Sequence, residues 1–85
     1  MDAEAAIDIQ IRFGQRLREL RRRQNWSQEE LALTAGLDRT FVSSCERGRR
    51  NISLVNIQRL AAALDVQAAD LLRPVAAPLL RQDEG

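Results

Sequence analysis

Residues 26–48, WSQEELALTAGLDRTFVSSCERG, contain the helix start and stop signals that decide the fold. The Ser27 hydroxyl can accept a hydrogen bond from the Glu30 amide, and the Glu30 carboxylate can accept one from the Ser27 amide. This reciprocal capping box predicts that a helix begins after Ser27. Because glycine readily adopts the left-handed conformation at which helices end, Gly36 predicts the end of a helix over about residues 28–35.

A second short helix follows the first after a very short connection. Asp38 is a favourable residue for the position that precedes a helix. The segment therefore predicts a helix over about residues 39–47, which ends before Gly48. Val42 and Cys45 are three residues apart and lie on one face of that helix, so we expect both to point inward.

Small and branched residues at fixed spacing allow these two helices to cross closely. Ala32 is a small residue inside the first helix, Gly36 makes the turn four residues later, and Val42 anchors the second helix six residues beyond the turn. Trp26 and Leu31 add a hydrophobic staple across the first turn of the first helix. Two short helices joined by a tight glycine-containing turn form a helix-turn-helix unit.

Apolar residues continue at helical spacing on both sides of this unit. Phe13, Leu17 and Leu20 fall on one helix face. Ser53 is a further N-cap candidate, and Pro74 stops the last helical run. No alternating pattern predicts a strand. We therefore predict an all-α, compact five-helix domain, in which the remaining helices cover about residues 8–24, 54–64 and 67–73.

Eighty-five residues suffice for one small domain. We divide the chain into an acidic N-terminal extension at 1–11, where the first helix starts, a helix-turn-helix domain at 12–73 and a C-terminal tail at 74–85. The net charge is −3 over residues 1–11, +6 over 12–59 and −2 over 60–85. A basic middle is typical of a surface that contacts a polyanion, and a solvated arginine-rich surface is the alternative.

The residues that the chain lacks restrict its chemistry. It contains no His, Tyr or Lys, and all 13 basic residues are Arg, so most of the side chains used for acid–base catalysis near neutral pH are missing. One cysteine without histidine offers neither an internal disulfide nor a usual tetrahedral zinc site. No membrane span or signal peptide is recognisable. We therefore expect a cytoplasmic protein that is not an enzyme and has no cofactor or metal.

The run SQEELALTAGLDRTFVSSCERGRRNISLVNIQRLAAAL at residues 27–64 resembles the XRE-type helix-turn-helix domain of phage repressors. The resemblance reaches back to FGQRLRELRRRQNW and covers about residues 12–72. Within the family, the LDRT and ERGRRN segments look most similar to the small controller proteins of restriction–modification systems. The resemblance implies a phage-repressor-like five-helix domain, usually dimeric, that binds operator DNA. Cys45 departs from the larger aliphatic residue more usual at its position.

The second helix of such a unit enters the major groove of DNA with its N-terminal end first. The residues expected to face the bases are Arg39, Thr40, Ser43 and Ser44. Arg39 can donate two hydrogen bonds to guanine, although an exposed charge beside Asp38 is the alternative. The residues expected to contact phosphate are Gln28, Arg47, Arg49, Arg50 and Asn51. For the two loop arginines, a solvated loop is the alternative.

The resemblance also implies a structural ion pair. In the family, an arginine late in the N-terminal helix of the domain pairs with a glutamate that ends the helix that enters the major groove, here called the reading helix. Arg21 and Glu46 occupy those positions. A partly buried pair of this kind fixes the orientation of a helix more than it adds net stability. We therefore expect Arg21 and Glu46 to position the reading helix.

A single reading helix contacts few base pairs, so we expect a two-fold dimer that reads two half-sites. The apolar residues available for the dimer contact are Val55, Val66, Leu71, Leu72, Val75, Leu79 and Leu80. Folding of Val75, Leu79 and Leu80 onto their own core is the alternative. The predicted function is sequence-specific binding of double-stranded DNA by a homodimeric transcriptional regulator on a palindromic operator. The alternative is an antitoxin-like protein-interaction module with secondary DNA binding.

Overall fold

The computed structural model describes residues 2–75. This part of the chain forms five helices and no strand, which confirms the predicted all-α class. None of these helices is long and apolar enough to cross a membrane. The helices are α1 (Ala3–Arg23), α2 (Gln28–Ala35), α3 (Arg39–Glu46), α4 (Leu54–Leu64) and α5 (Ala68–Leu71).

Helix α2 begins and ends with the geometry that its residues predict. The Glu30 amide donates to Ser27 Oγ at 3.0 Å, and the Ser27 amide donates to Glu30 Oε1 at 2.7 Å. Gly36 ends α2 in the left-handed region with φ 72°. Asp38 precedes α3 as predicted, but its side chain makes no capping hydrogen bond. The end of α2 is therefore fixed by Gly36, whereas the start of α3 has no side-chain cap.

Helix α1 begins earlier than the apolar spacing predicts. The Asp2 carboxylate accepts a hydrogen bond from the Ala5 amide at 2.8 Å and caps the helix at its start. The buried face of α1 begins only at Phe13, and Ile7 in the earlier turns is exposed. A pattern based on buried residues therefore misses these first turns, which include most of the acidic segment. The chain leaves α1 through Asn25, which has φ 60°.

The core lies where the five helices meet. Helix α1 packs against α3 and α5, α2 packs against α3 and α4, and α4 packs against α5. Trp26 is half-buried and packs against this core, in agreement with its predicted staple position. The buried apolar residues are Phe13, Leu17, Leu20, Leu31, Ala32, Val42, Cys45, Leu60, Ala61, Leu64 and Leu71.

Two close contacts fix α1 relative to its neighbours. At Gly14, a Cβ atom would overlap the carbonyl oxygen of Cys45, so α1 and the end of α3 approach to a distance that only glycine permits. Arg16 is buried, and its Nε donates to the carbonyl oxygen of Asp70 at 2.7 Å. Arg16 therefore connects α1 to α5, a role that its sequence position did not predict.

The last described helix corrects two predictions. Helix α5 is shorter than predicted, because Gln67 precedes it as the N-cap and Leu72 follows it as the C-cap. Leu71, predicted as an exposed residue of a dimer contact, is 0% exposed. It occupies the inward side of α5 and belongs to the core, whereas the adjacent Leu72 is 48% exposed. Two further predicted dimer residues, Leu79 and Leu80, lie outside the described residues.

Candidate nucleic-acid interface

The first turn of α3 presents polar side chains on the molecular surface. Arg39 and Thr40 are exposed, and Ser43 and Ser44 are half-buried. On the opposite side of the helix, Val42 and Cys45 are buried in the core. The four residues predicted to read bases therefore lie on the accessible part of α3, with the two at its N-terminal end the most accessible.

Ser43 has a hydroxyl group with a defined hydrogen-bond partner. Arg47 donates from Nη1 to Ser43 Oγ at 2.6 Å. A serine hydroxyl provides one donor and two acceptor positions, so this contact uses an acceptor position. The hydroxyl proton of Ser43 has no acceptor among residues 2–75 and can be donated to an external group.

The far end of α3 is fixed by the predicted ion pair. The Glu46 carboxylate, whose side chain is 0% exposed, accepts hydrogen bonds from Arg21 Nε at 2.6 Å and from Arg21 Nη2 at 3.0 Å. Arg21 also donates from Nη1 to the Trp26 carbonyl oxygen at 2.6 Å. One guanidinium thus connects α1, the segment before α2 and the last residue of α3.

Burial by itself raises the pKa of Glu46, but the hydrogen bonds from Arg21 and Gln28 and the charges of Arg21 and Arg18 outweigh it, so the pKa lies below its usual value. The same hydrogen bond shifts the pKa of Arg21 in the opposite direction, above its usual value, because it stabilises the charged guanidinium. Both groups are therefore charged at neutral pH, and the buried pair remains an ion pair.

Gln28, predicted to contact phosphate, has its amide nitrogen engaged inside the protein. It is half-buried at the start of α2, and its Nε2 donates to Glu46 Oε1 at 3.1 Å. Its amide oxygen remains an acceptor, which does not suit an anion. The contact to Glu46 uses one of the two Nε2 hydrogens, so the second hydrogen and the backbone amide at the helix N-terminus remain available to a phosphate.

The loop after α3 carries most of the predicted phosphate ligands. Arg47, Arg49, Arg50 and Asn51 are exposed, and within residues 2–75 none of the three arginines has a carboxylate partner. Backbone contacts shape the loop: Gly48 has φ 74°, and the Arg49 amide donates to the Ser44 carbonyl oxygen at 3.0 Å. Their charge is therefore available to an external anion.

Two side chains at this surface were not predicted to contribute. Arg18 lies one helical turn before Arg21, and its Nε approaches Glu46 Oε1 at 3.4 Å; the spacing of the two arginines could have indicated this. Phe41 lies on α3 with its ring centroid 5.1 Å from the guanidinium carbon of Arg50. A contact between an aromatic residue and an arginine in the following loop leaves no periodic signal in the sequence.

The remaining reactive groups of this region are structural. Cys45 is buried, and burial raises the pKa of its thiol to about 11, so the unreactive neutral thiol predominates near neutral pH. Among residues 2–75, no three His, Cys, Asp or Glu side chains come together that could hold a metal ion.

Comparisons with known proteins give consistent relatives. A helix-turn-helix family profile matches residues 17–71. The chain is 48% identical over 66 residues to Control protein C.BamHI of Bacillus amyloliquefaciens, covering 76% of this chain and 82% of that protein. It is 44% identical over 69 residues to Control protein C.MunI of a Mycoplasma species, covering 80% of this chain and 93% of that protein. The restriction-modification controller protein C.AhdI from Aeromonas hydrophila matches with a TM-score of 0.71 and 57% identity, over 72% of this chain and 92% of that chain.

These matches confirm the resemblance that the motif residues indicate. The profile covers more than half of the chain and includes all of α2, α3 and α4. The relatives are regulatory proteins, not enzymes. The chain therefore belongs to the XRE-type helix-turn-helix family of DNA-binding transcriptional regulators.

Proposed function

We propose that this regulator binds a palindromic operator as a homodimer in the cytoplasm and controls the genes of a restriction–modification system. The relatives C.BamHI and C.MunI are control proteins, and C.AhdI is a restriction-modification controller protein. The folded unit proposed to perform this function is the domain predicted at residues 12–73 together with the turns of α1 that precede residue 12.

The observation that carries the proposal is the position of α3. Arg39 and Thr40 are exposed at its N-terminal end, while Val42 and Cys45 anchor one side in the core and Glu46 is fixed at the other end. The major groove of B-DNA admits one such helix. A helix fixed in this way can present the same donors to base edges without first becoming ordered, which reduces the entropic cost of binding.

Specific and non-specific contacts are divided between α3 and the loop after it. The Arg39 guanidinium can donate two hydrogen bonds to guanine O6 and N7. The free hydroxyl proton of Ser43 favours a base acceptor, and Thr40 offers a methyl group and a hydroxyl. The arginines of the loop supply phosphate contacts, which position the protein but do not read sequence. These contacts make the affinity dependent on salt concentration.

The proposed dimer places two reading helices about 34 Å apart, one turn of the DNA helix. Val55 and Leu72 are exposed apolar residues that suit such a contact. Val66 and Val75 are half-buried and could contribute at its edge. Two half-sites provide the specificity that a single three- or four-residue contact cannot supply in a genome.

Selection of bound duplexes from a random pool tests the proposal. We expect the selected duplexes to share two inverted half-sites. On such a duplex, Arg39→Ala should cost about 1–3 kcal/mol and should relax the preference at one base position in each half-site. Arg73→Ala removes the same charge from the exposed end of the described chain and should leave the preference unchanged. Absence of a shared sequence among the selected duplexes would refute sequence-specific binding.

A further inference from the structure

We propose that Phe41 is a positioning residue for DNA binding, because its ring holds the Arg50 guanidinium where it can contact a phosphate. This inference rests on the proposed phosphate contacts of the loop after α3. It adds a specific requirement, namely that a half-buried aromatic ring prepares one particular arginine for binding. The observations that support it are the position of the ring, the placement of the Arg50 guanidinium over it and the absence of a competing carboxylate among residues 2–75.

The Phe41 ring is held in place by the core. Phe41 is half-buried on α3, between Thr40 on the exposed side and Val42 in the core, and it packs against the buried cluster. Side chains in contact with a close-packed interior have few accessible rotamers. The exposed part of the ring is therefore a fixed platform at the side of the reading helix.

Arg50 lies over this platform and retains its donors. Its guanidinium carbon is 5.1 Å from the centroid of the Phe41 ring, within the range of a cation–π interaction. The five N–H donors of a guanidinium lie in its own plane. The contact with the ring does not use these donors in hydrogen bonds to the described chain, so they remain available to donate two hydrogen bonds to one phosphate.

Arg50 has no carboxylate partner among residues 2–75 that would compete with a phosphate. Its backbone is also constrained, since Gly48 and the hydrogen bond from the Arg49 amide to Ser44 fix the start of the loop. Arg49 is exposed like Arg50 but makes no ring contact in the described chain. Arg50 therefore loses less side-chain freedom than Arg49 when it binds an anion.

A pair of double-mutant cycles separates positioning from a purely structural role. The probe is a duplex selected from a random pool by the wild-type protein, and affinity is measured at several salt concentrations. We expect Arg50→Ala to weaken binding about tenfold and to reduce the salt slope by about one unit. We expect Phe41→Leu to weaken binding about two- to fivefold while Arg50 is present, and to have no further effect when Arg50 is Ala.

The matched control replaces Arg49 instead of Arg50. Phe41→Leu and Arg49→Ala should be additive, whereas Phe41→Leu and Arg50→Ala should not be. Phe41→Tyr retains the ring and should bind like the wild type. Thermal unfolding of each variant establishes that the binding assay is performed on folded protein.

Two results would overturn the inference while leaving the DNA-binding proposal intact. One is a full effect of Phe41→Leu in the Arg50→Ala background. The other is wild-type affinity of Arg50→Ala with an unchanged salt slope. If the wild-type protein itself binds no duplex at low salt, then the proposed function fails, and the inference fails with it.

Discussion

Glu46 shows how one buried side chain can orient a binding surface. Its carboxylate accepts hydrogen bonds from Arg21 on α1 and from Gln28 on α2, and it ends α3. Replacement of a buried ion pair by apolar residues is often neutral or stabilising, whereas removal of one partner leaves an unpaired buried charge. The pair is therefore better understood as a device that sets the position of α3 than as a source of net stability.

We predict that Glu46→Gln destabilises the protein at neutral pH by about 3–5 kcal/mol, because the buried Arg21 guanidinium loses its counter-charge. Urea unfolding measures this free energy. The exposed and nearly isosteric substitution Glu29→Gln is the control and should change the free energy of unfolding by less than about 0.5 kcal/mol. Equal effects of the two substitutions would contradict the role given to Glu46.

The same carboxylate contributes to the pH dependence of stability. Since the pKa of Glu46 is lowered in the folded protein, the unfolded chain takes up a proton at this group more readily. Its contribution is therefore fully present at neutral pH and is lost as the pH falls below about 4. In the Glu46→Gln variant, the free energy of unfolding should decline less between pH 7 and pH 3 than in the wild type.

At the scale of the helices, α1 crosses the end of α3 at a very short distance. Gly14 provides the space, because a Cβ atom there would overlap backbone oxygen of α3. Glycine inside a helix ordinarily costs about 0.5–1 kcal/mol relative to alanine. Its presence at this crossing is explained by packing, since the backbone of α3 cannot move aside without displacing the reading helix.

We predict that Gly14→Ala destabilises the protein by about 1–3 kcal/mol, in spite of the higher helix propensity of alanine. Because α3 must shift, DNA affinity should decrease as well. Thermal unfolding and a binding titration measure the two effects. The adjacent Gln15→Ala, at an exposed position of α1, is the control and should leave both unchanged. A stabilised Gly14→Ala variant would show that the helices are less closely packed than the structure indicates.

The helices were predictable to the extent that local signals define them. The capping box at Ser27 fixes the start of α2, and the glycine at position 36 fixes its end. Both signals involve only residues within a few positions of each other in the sequence. The start of α1 was missed because the predicted helix was placed from the buried residues Phe13, Leu17 and Leu20, whereas Ile7 and Ile11 in its earlier turns are exposed. The length of α5 was overestimated, since Gln67 and Leu72 are caps and not helical residues.

At the scale of the whole molecule, two adjacent leucines at the end of α5, the helical Leu71 and the C-cap Leu72, lie in different environments. Leu71 is fully buried, and Leu72 is exposed together with Val55 on α4. The local sequence does not distinguish the two leucines, because they are identical neighbours that directly follow Asp70. Their different environments give the proposed dimer a direct test.

We predict opposite consequences for substitutions at these two leucines. Leu71→Ala should destabilise the folded chain by about 2–5 kcal/mol, because it leaves a cavity in the core. Leu72→Asp should leave the fold of the single chain intact and raise the dissociation constant of the dimer about tenfold or more, because it places an unpaired charge in the contact. Sedimentation at micromolar concentration and thermal unfolding distinguish the two effects. An unchanged sedimentation profile for Leu72→Asp would remove Leu72 from the contact.

The sequence by itself determined the helix-turn-helix unit, the all-α class and the ends of α2, because the Ser27 capping box, the glycine turn and apolar periodicity act between residues close together in the chain. Only the tertiary structure decided which of the adjacent residues Leu71 and Leu72 is buried, how near α1 lies to α3, and which arginine lies over the Phe41 ring. These depend on contacts between residues distant in sequence, and such contacts leave no local pattern by which they could be recognised.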